Sequence, residues 1–340
     1  MADLLAQLDE RDRQRLEAAP HPSWCEPVLA KLTDERFSDP AWLFERKFDG
    51  ERALAFRRGT EVRLLSRNRK SLNNSYPELV DALTAQACHD FVVDGEVVAF
   101  DGERSSFARL QQRMQIDDPQ AARASGIAVS YYLFDLLHLD GHDLRHLPLR
   151  RRKALLKRAI AFQDPLRFTS HRNRDGEALF RDACAKGWEG LIAKRADAPY
   201  QGGRSTDWLK FKCAGGQELV IAGFSAARGS RKGFGALLLG YYDDDRLRYA
   251  GKVGTGFDDR TLIELRRRLD CLARTGSPFA DEVRDPSVTF VQPKLVAEIG
   301  FTEWTADGRL RHPRFLGLRR DKRPEEVSRE RTEADGGSPR

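Results

Sequence analysis

Long apolar runs are missing from this 340-residue chain, and with them any stretch of about 20 apolar residues able to cross a bilayer as a helix. The opening, Met1 to Arg15, is charged and lacks the apolar core and small-residue cleavage site of a signal peptide. A cytoplasmic protein with no membrane partner is expected. Cysteine is sparse: Cys25, Cys88, Cys184, Cys213 and Cys271 are scattered, with no spacing that suggests a zinc knuckle or a redox pair, so free thiols are expected. Lysine is scarcer than the charge suggests, 13 residues against 45 arginines. A position that keeps a lysine therefore points to a need for a compact, titratable ammonium. The net charge of +6 and a pI near 9.1 suit a polyanionic partner without requiring one.

With 40% hydrophobic and 32% charged residues, the chain has the composition of a globular protein and length enough for two cores. Leu4, Leu5, Leu8 and Leu16 recur at roughly helical spacing before Pro20, predicting a short docking helix. Strands are predicted at 53–56 and 62–65 as a hairpin, and at 91–100, 131–137 and 190–193; helices are predicted at 77–86, 149–161 and 176–186. This mixture describes an α+β domain over residues 1–213. Ala214-Gly215-Gly216 reads as a hinge. Beyond it, strands at 218–224, 236–242 and 247–253, a helix at 261–274 capped by Asp258, and strands at 295–304 and 309–316 give the order of an OB-fold β-barrel over 217–329. Residues 330–340 read as a disordered tail.

Against this frame of strands, Glu45-Arg46-Lys47-Phe48-Asp49-Gly50-Glu51-Arg52 stands out. Alternation puts Glu45 and Lys47 on one face and Phe44 and Phe48 on the other. A lysine nucleophile needs its pKa, ordinarily about 10.4, brought down by desolvation or neighbouring cations. Trp208-Leu209-Lys210-Phe211-Lys212 offers such cations, because a period of two projects Lys210 and Lys212 together with Leu209 and Phe211 behind. Alone, either segment also reads as a solvated amphipathic strand. Asp94-Gly95-Glu96 and Glu189-Gly190 place carboxylates at apolar runs, where sugar hydroxyls or Mg²⁺ would justify them; Asp94-Gly95 reads equally as a hairpin turn. Phe134 has core packing as its alternative to base stacking. His138, His142 and His146, four residues apart, read as solvated or capping histidines, with metal binding the alternative.

Taken in order, the motifs make the chain resemble an ATP-dependent DNA ligase of the covalent nucleotidyltransferase superfamily. They are Lys47 to Arg52, Ser66-Arg67-Asn68, Asp94-Gly95-Glu96, Tyr132 to Asp135, Glu189 to Lys194, Arg204 with Trp208 to Lys212, and Arg311 to Lys322. The resemblance covers about Cys25 to Val327, and departs at Arg320, where relatives commonly carry an acid. It implies a nucleotidyltransferase domain followed by an OB-fold, with Lys47 as the residue that takes AMP from ATP. It further implies that Phe134 stacks on adenine, Glu45 helps recognise the base, and Arg52 and Glu96 address the ribose. Arg67 would face the phosphate side of a nick. Glu189 and Glu96 would organise Mg²⁺ or Mn²⁺. Lys210 and Lys212 would hold the α-phosphate, with Arg204 a further nucleotide contact. Arg319, Asp321 and Lys322 would orient pyrophosphate by closure of the OB block through the hinge.

Only 46 residues precede Lys47, so a minimal, monomeric bacterial ligase is expected, similar to the ligase module of non-homologous end-joining enzymes without polymerase or phosphoesterase modules. The implied partners are nicked or broken duplex DNA, gripped in part by the loop from Arg228 to Lys232, and a Ku-like end-binding protein. An RNA ligase or GTP-using capping enzyme is the rival enzyme reading, and a silent nucleic-acid-binding module the rival of another class.

Overall fold

A computed structural model describes residues 4–213, 216–227, 229, 231–305, 307–319 and 321–330. Two compact units meet in sequence between Cys213 and Ala214. Ala214 and Gly215 of the expected hinge, Arg228 and Ser230 of the basic loop, Arg320, and residues 331–340 of the expected tail lie outside the described residues, while Gly216 already opens a strand.

The first unit is built on two sheets. One holds Glu51–Arg58 between Asp90–Val98 and Glu61–Ser66, with Ser130–Leu139 beyond Asp90–Val98. Gly59 and Thr60 alone turn the hairpin, Gly59 taking φ +62°, so the strands run closer to the turn than expected. The other sheet runs His171–Asn173, Trp42–Lys47, Gly190–Arg195, Gly203–Lys212, Val28–Leu32. Alternation decides its two faces. Phe44, Leu191, Ala193 and Phe211 pack as a core against Leu179 and Ala183 of the helix Gly176–Ala185, which leaves Glu45, Lys47, Lys210 and Lys212 for the opposite face.

Several expectations need correction. The N-terminal leucines form a single 3₁₀ turn, Leu5–Gln7, followed by a four-residue helix, Glu10–Arg13, started by the Asp9 side chain accepting from Asp12 N–H. Leu5 and Leu8 still reach the core. Asp94-Gly95 is no turn: both lie inside Asp90–Val98, paired with Leu54 and Ala53. A Cβ on Gly95 would stand 2.6 Å from the Tyr131 ring, and that close approach is what the glycine serves. Cys184 and Cys213 form a disulfide across 29 residues; Cys25, Cys88 and Cys271 are free. Closing a loop of that length removes denatured-state entropy worth about 3.6 kcal/mol. Cys184→Ser, or reductant added to the parent chain, should lower the urea midpoint of the first unit accordingly, and an unchanged midpoint would show that the cross-link contributes nothing.

In the second unit, three strands (Gly216–Ser225, Leu237–Asp243, Arg246–Val253), the helix Asp259–Asp270 and two strands (Val288–Gly300, Arg314–Arg319) follow the OB order. The short pair Glu303–Trp304 and Leu310–Arg311 is inserted between the last two. Asp258 caps the helix as expected, accepting from Thr261 N–H at 2.7 Å. Sheet order is Arg246–Val253, Leu237–Asp243, Gly216–Ser225, Val288–Gly300, Arg314–Arg319, and no ladder joins its two ends among the described residues. The two ends of the sheet are linked there instead by Phe315 N–H donating to Thr255 C=O at 3.0 Å and Thr255 Oγ1 donating to Pro313 C=O at 3.1 Å.

Candidate active site

Register across the second sheet of the first unit assembles the site. Lys47 lies opposite Gly190, and Gly190 opposite Lys212; one step along, Glu45, Ile192 and Lys210 form the next row, and Leu43, Lys194 and Trp208 the third. Strands at roughly 4.8 Å spacing therefore bring residues far apart in sequence onto one face in three short rows. The first row needs its glycine. Gly190 has φ +150°, and a Cβ there would fall 1.8 Å from the Phe211 carbonyl oxygen.

Lys47 pairs with the Glu189 carboxylate, the residue just before that glycine. Burial and the nearby Lys212 act to lower the lysine's pKa, but Glu189 outweighs them and holds Lys47 above its ordinary value. This corrects the expectation that neighbouring cations dominate: as the site stands, Lys47 is a protonated ammonium. The other Glu189 oxygen, Oε2, is buried without a hydrogen-bond partner. An ionised carboxylate with one buried, unoccupied acceptor fits a divalent cation or a cationic ligand group.

The second row gives Glu45 two ion-pair partners within the protein. Its carboxylate is buried between two ammonium groups, Lys153 Nζ at 2.5 Å and Lys194 Nζ at 2.7 Å, and all three side chains are 2% exposed. Burial would raise the Glu45 pKa, yet the two lysines bring it below the ordinary value, while burial draws Lys194 down to about 8 against the pull of Glu45. Glu45 therefore has its acceptors engaged by protein cations. Lys153 comes from the helix Leu149–Ala159 and also donates to Thr169 C=O at 3.0 Å. Sequence reasoning missed it, although a single inward lysine after three consecutive arginines was a usable signal.

Phe134 is 7% exposed and meets Trp208 edge-on at 5.8 Å. Lys194 Nζ lies 3.9 Å from the centroids of both rings, and Arg52 stands 4.6 Å from that of Phe134. Arg52 is fixed there by a bidentate pair with Asp94 at 2.5 and 2.6 Å, whose carboxylate also accepts from Tyr200 Oη at 2.6 Å. Asp94 thus earns its buried position as the anchor of Arg52. Glu96 sits opposite both Arg52 and Tyr132, with its Cγ 2.9 Å from where a Gly50 Cβ would be. Glu51 leaves the cluster for the core, accepting from Tyr76 Oη at 2.7 Å.

Arg204 is exposed at the start of its strand, beyond the register shift between Ser205 and Leu209, and Arg67 is half-buried in the turn after Glu61–Ser66. In the second unit, Arg319 makes a bidentate pair with Asp321 at 2.9 and 2.7 Å and reaches Glu298 at 3.3 Å, while Lys322 meets Glu218 at 2.9 Å. Burial notwithstanding, Arg319 holds Asp321 below the usual carboxylate range. Glu218 and Glu298, unforeseen from the sequence, are what orient the two cations.

Comparison with known proteins places the chain in a family. The model of the ATP dependent DNA ligase domain matches residues 27–212, and that of the ATP dependent DNA ligase C terminal region matches residues 230–322. The chain is 39% identical over 321 residues to the multifunctional non-homologous end joining protein LigD of Pseudomonas aeruginosa, covering 92% of this chain but 37% of that one. It is 32% identical to a probable DNA ligase of Dictyoglomus turgidum, covering 82% of this chain and 54% of the other. The chain thus spans only part of the relatives it matches. Among solved structures, a mycobacterial DNA ligase D complexed with ATP and MES superposes with a TM-score of 0.64 at 36% identity, covering 90% of this chain and 98% of that one. With a family model matched across more than half its length, the chain belongs to the ATP-dependent DNA ligase family.

Proposed function

We propose that the chain seals breaks in duplex DNA through a lysyl-AMP formed on Lys47. The observation that carries this reading is the first row of the site, in which a half-buried lysine shares its row with Lys212 and is paired with a carboxylate that keeps one acceptor open. In the first step Lys47 Nζ, having lost its proton, attacks the α-phosphorus of ATP, and the bond to pyrophosphate breaks. Lys210 and Lys212 hold the α-phosphate and take up charge in the transfer, Phe134 receives the adenine ring, and Arg52, set by Asp94, addresses the sugar side with Glu96. Glu189, with Glu96, is the residue set for Mg²⁺ or Mn²⁺, whose contribution when bound is Lewis-acid charge on the phosphates. Arg319, Asp321 and Lys322 orient pyrophosphate, and Arg67 and Arg204 meet the nucleic acid or nucleotide.

AMP then passes from Lys47 to a 5′-phosphate, and a 3′-hydroxyl displaces it to form the phosphodiester. All three steps are displacements at phosphorus, so one set of positioned cations serves each. Likeness to proteins named for non-homologous end joining supports a repair role on broken duplexes, and we propose that the chain works there as a monomer alongside a Ku-like end binder. Incubation with a nicked duplex and either ATP or GTP tests the reading: ATP alone should support sealing, whereas label retained only from GTP would move the chain to the capping class. Because phosphate contacts release counterions, sealing should also weaken steeply as salt rises.

A further inference from the structure

Of the histidine series, His138 is the one buried beside both a carboxylate and a second imidazole. His142 Nδ1 is taken up by Asp140 C=O at 2.8 Å, and His146 is exposed with Glu17 at 3.9 Å. His138, by contrast, is buried near the end of Ser130–Leu139, where it meets Asp90 at the start of its strand and His21 from the segment before Val28–Leu32. Asp90 Oδ1 lies 2.7 Å from His21 Nδ1 and Asp90 Oδ2 lies 3.3 Å from His138 Nε2. The imidazoles stand edge to face with centroids 5.2 Å apart, and one ligand atom of each of the three residues lies within 4.8 Å of the others.

From this geometry we propose that His21, Asp90 and His138 bind a divalent transition-metal ion of the zinc class, separate from the cation that serves phosphoryl transfer. Two imidazoles and one carboxylate are a donor set that zinc takes in three-ligand sites, leaving a fourth position for water. The three come from distant segments, so their convergence belongs to the fold and not to a local turn. Their support is in place: Gly141 N–H donates to Asp90 Oδ2 at 2.9 Å and fixes the carboxylate from outside. Access is provided on the His21 side by a cleft of about 310 Å³ bordered by Phe56, Arg58 and Glu61. An ion here replaces the imidazole protons that otherwise bridge to Asp90, and it ties the segment around His21 to the sheet.

The test uses the whole chain, stripped with chelator and titrated with Co²⁺ and then Zn²⁺. The expected result is one equivalent of Co²⁺ with the intense visible absorption of a low-coordinate site, displaced by one equivalent of Zn²⁺, together with a rise in the thermal midpoint. His21→Gln and His138→Gln should each abolish the band, while His146→Gln should keep it. His21 lies outside the strands, so its variant decides the matter if His138→Gln fails to fold. The proposal is overturned if the parent chain gives no band, in which case the triad is a hydrogen-bonded network alone, or if the band survives His21→Gln. The readout is independent of ligation, so its failure leaves the ligase reading standing, and the converse holds.

Discussion

Lys47→Ala should carry no radiolabel after incubation with α-labelled ATP and magnesium, where the parent chain carries up to one AMP. Nick sealing should fall by four orders of magnitude or more, about the scale seen when a covalent nucleophile is deleted. A fully active Lys47→Ala chain would refute the mechanism. The pH profile adds what the simple deletion cannot. Because Glu189 holds the Lys47 pKa above its ordinary value despite burial, the attacking neutral amine is a small fraction near neutrality. With the acid form dominant, each unit of pH raises that fraction about tenfold, so the adenylation rate should climb between about pH 6 and 9 with a slope near one. Glu189→Gln removes the main raising influence and leaves burial and Lys212, which lower the pKa, against the smaller pull of Asp49. Its maximal rate should drop through the loss of a phosphate-side ligand while its profile moves to lower pH. A Glu189→Gln profile that coincides with the parent's would show that the ion pair does not govern the nucleophile.

What could be read in the sequence was what depends on neighbours along the chain. The alternation of Leu209 and Phe211 with Lys210 and Lys212 correctly divides the two faces of that strand, because side-chain direction in a strand is set locally. Asp258 was recognisable as a cap for the same reason. Pairings between distant segments were not recognisable. Nothing near Asp94 announces Arg52 or Tyr200, and Asp followed by Gly is also the sequence of a tight turn, so local chemistry offered a wrong alternative. The Cys184–Cys213 link is set by the packing of a helix against a sheet that no spacing rule encodes. The metal reading of the histidines assumed partners four residues apart, whereas the partners of His138 come from residues 21 and 90. Charge balance at Lys47 was misjudged because Lys212 was visible as a neighbour by parity while the direct contact with Glu189 depends on register.

The second large effect is expected at Glu45, where the resemblance and the geometry assign different work to the same carboxylate. If Glu45 read the base directly, its removal would raise the KM for ATP and leave stability nearly unchanged. Placed between Lys153 and Lys194, with all three side chains 2% exposed, it neutralises charge beneath the pocket instead. Glu45→Ala leaves two buried ammonium groups without a counter-ion, at a cost of about 3–5 kcal/mol, or a fall in Tm of about 10 °C for a unit of this size. The variant has a relief available to it. Lys194, already drawn by burial from 10.5 to about 8, can shed its proton more readily than an unfolded lysine. The unfolded chain then binds more protons than the folded one, so stability rises with pH from near the folded pKa up to 10.5. Without Glu45 the folded pKa falls further, and this rise begins at lower pH. Thermal unfolding of Glu45→Ala against the parent at pH 7 and pH 9 should therefore show a large deficit at the first and a smaller one at the second. An equal deficit at both, or none with a raised KM, would return Glu45 to the base and leave the two lysines neutral by some other route.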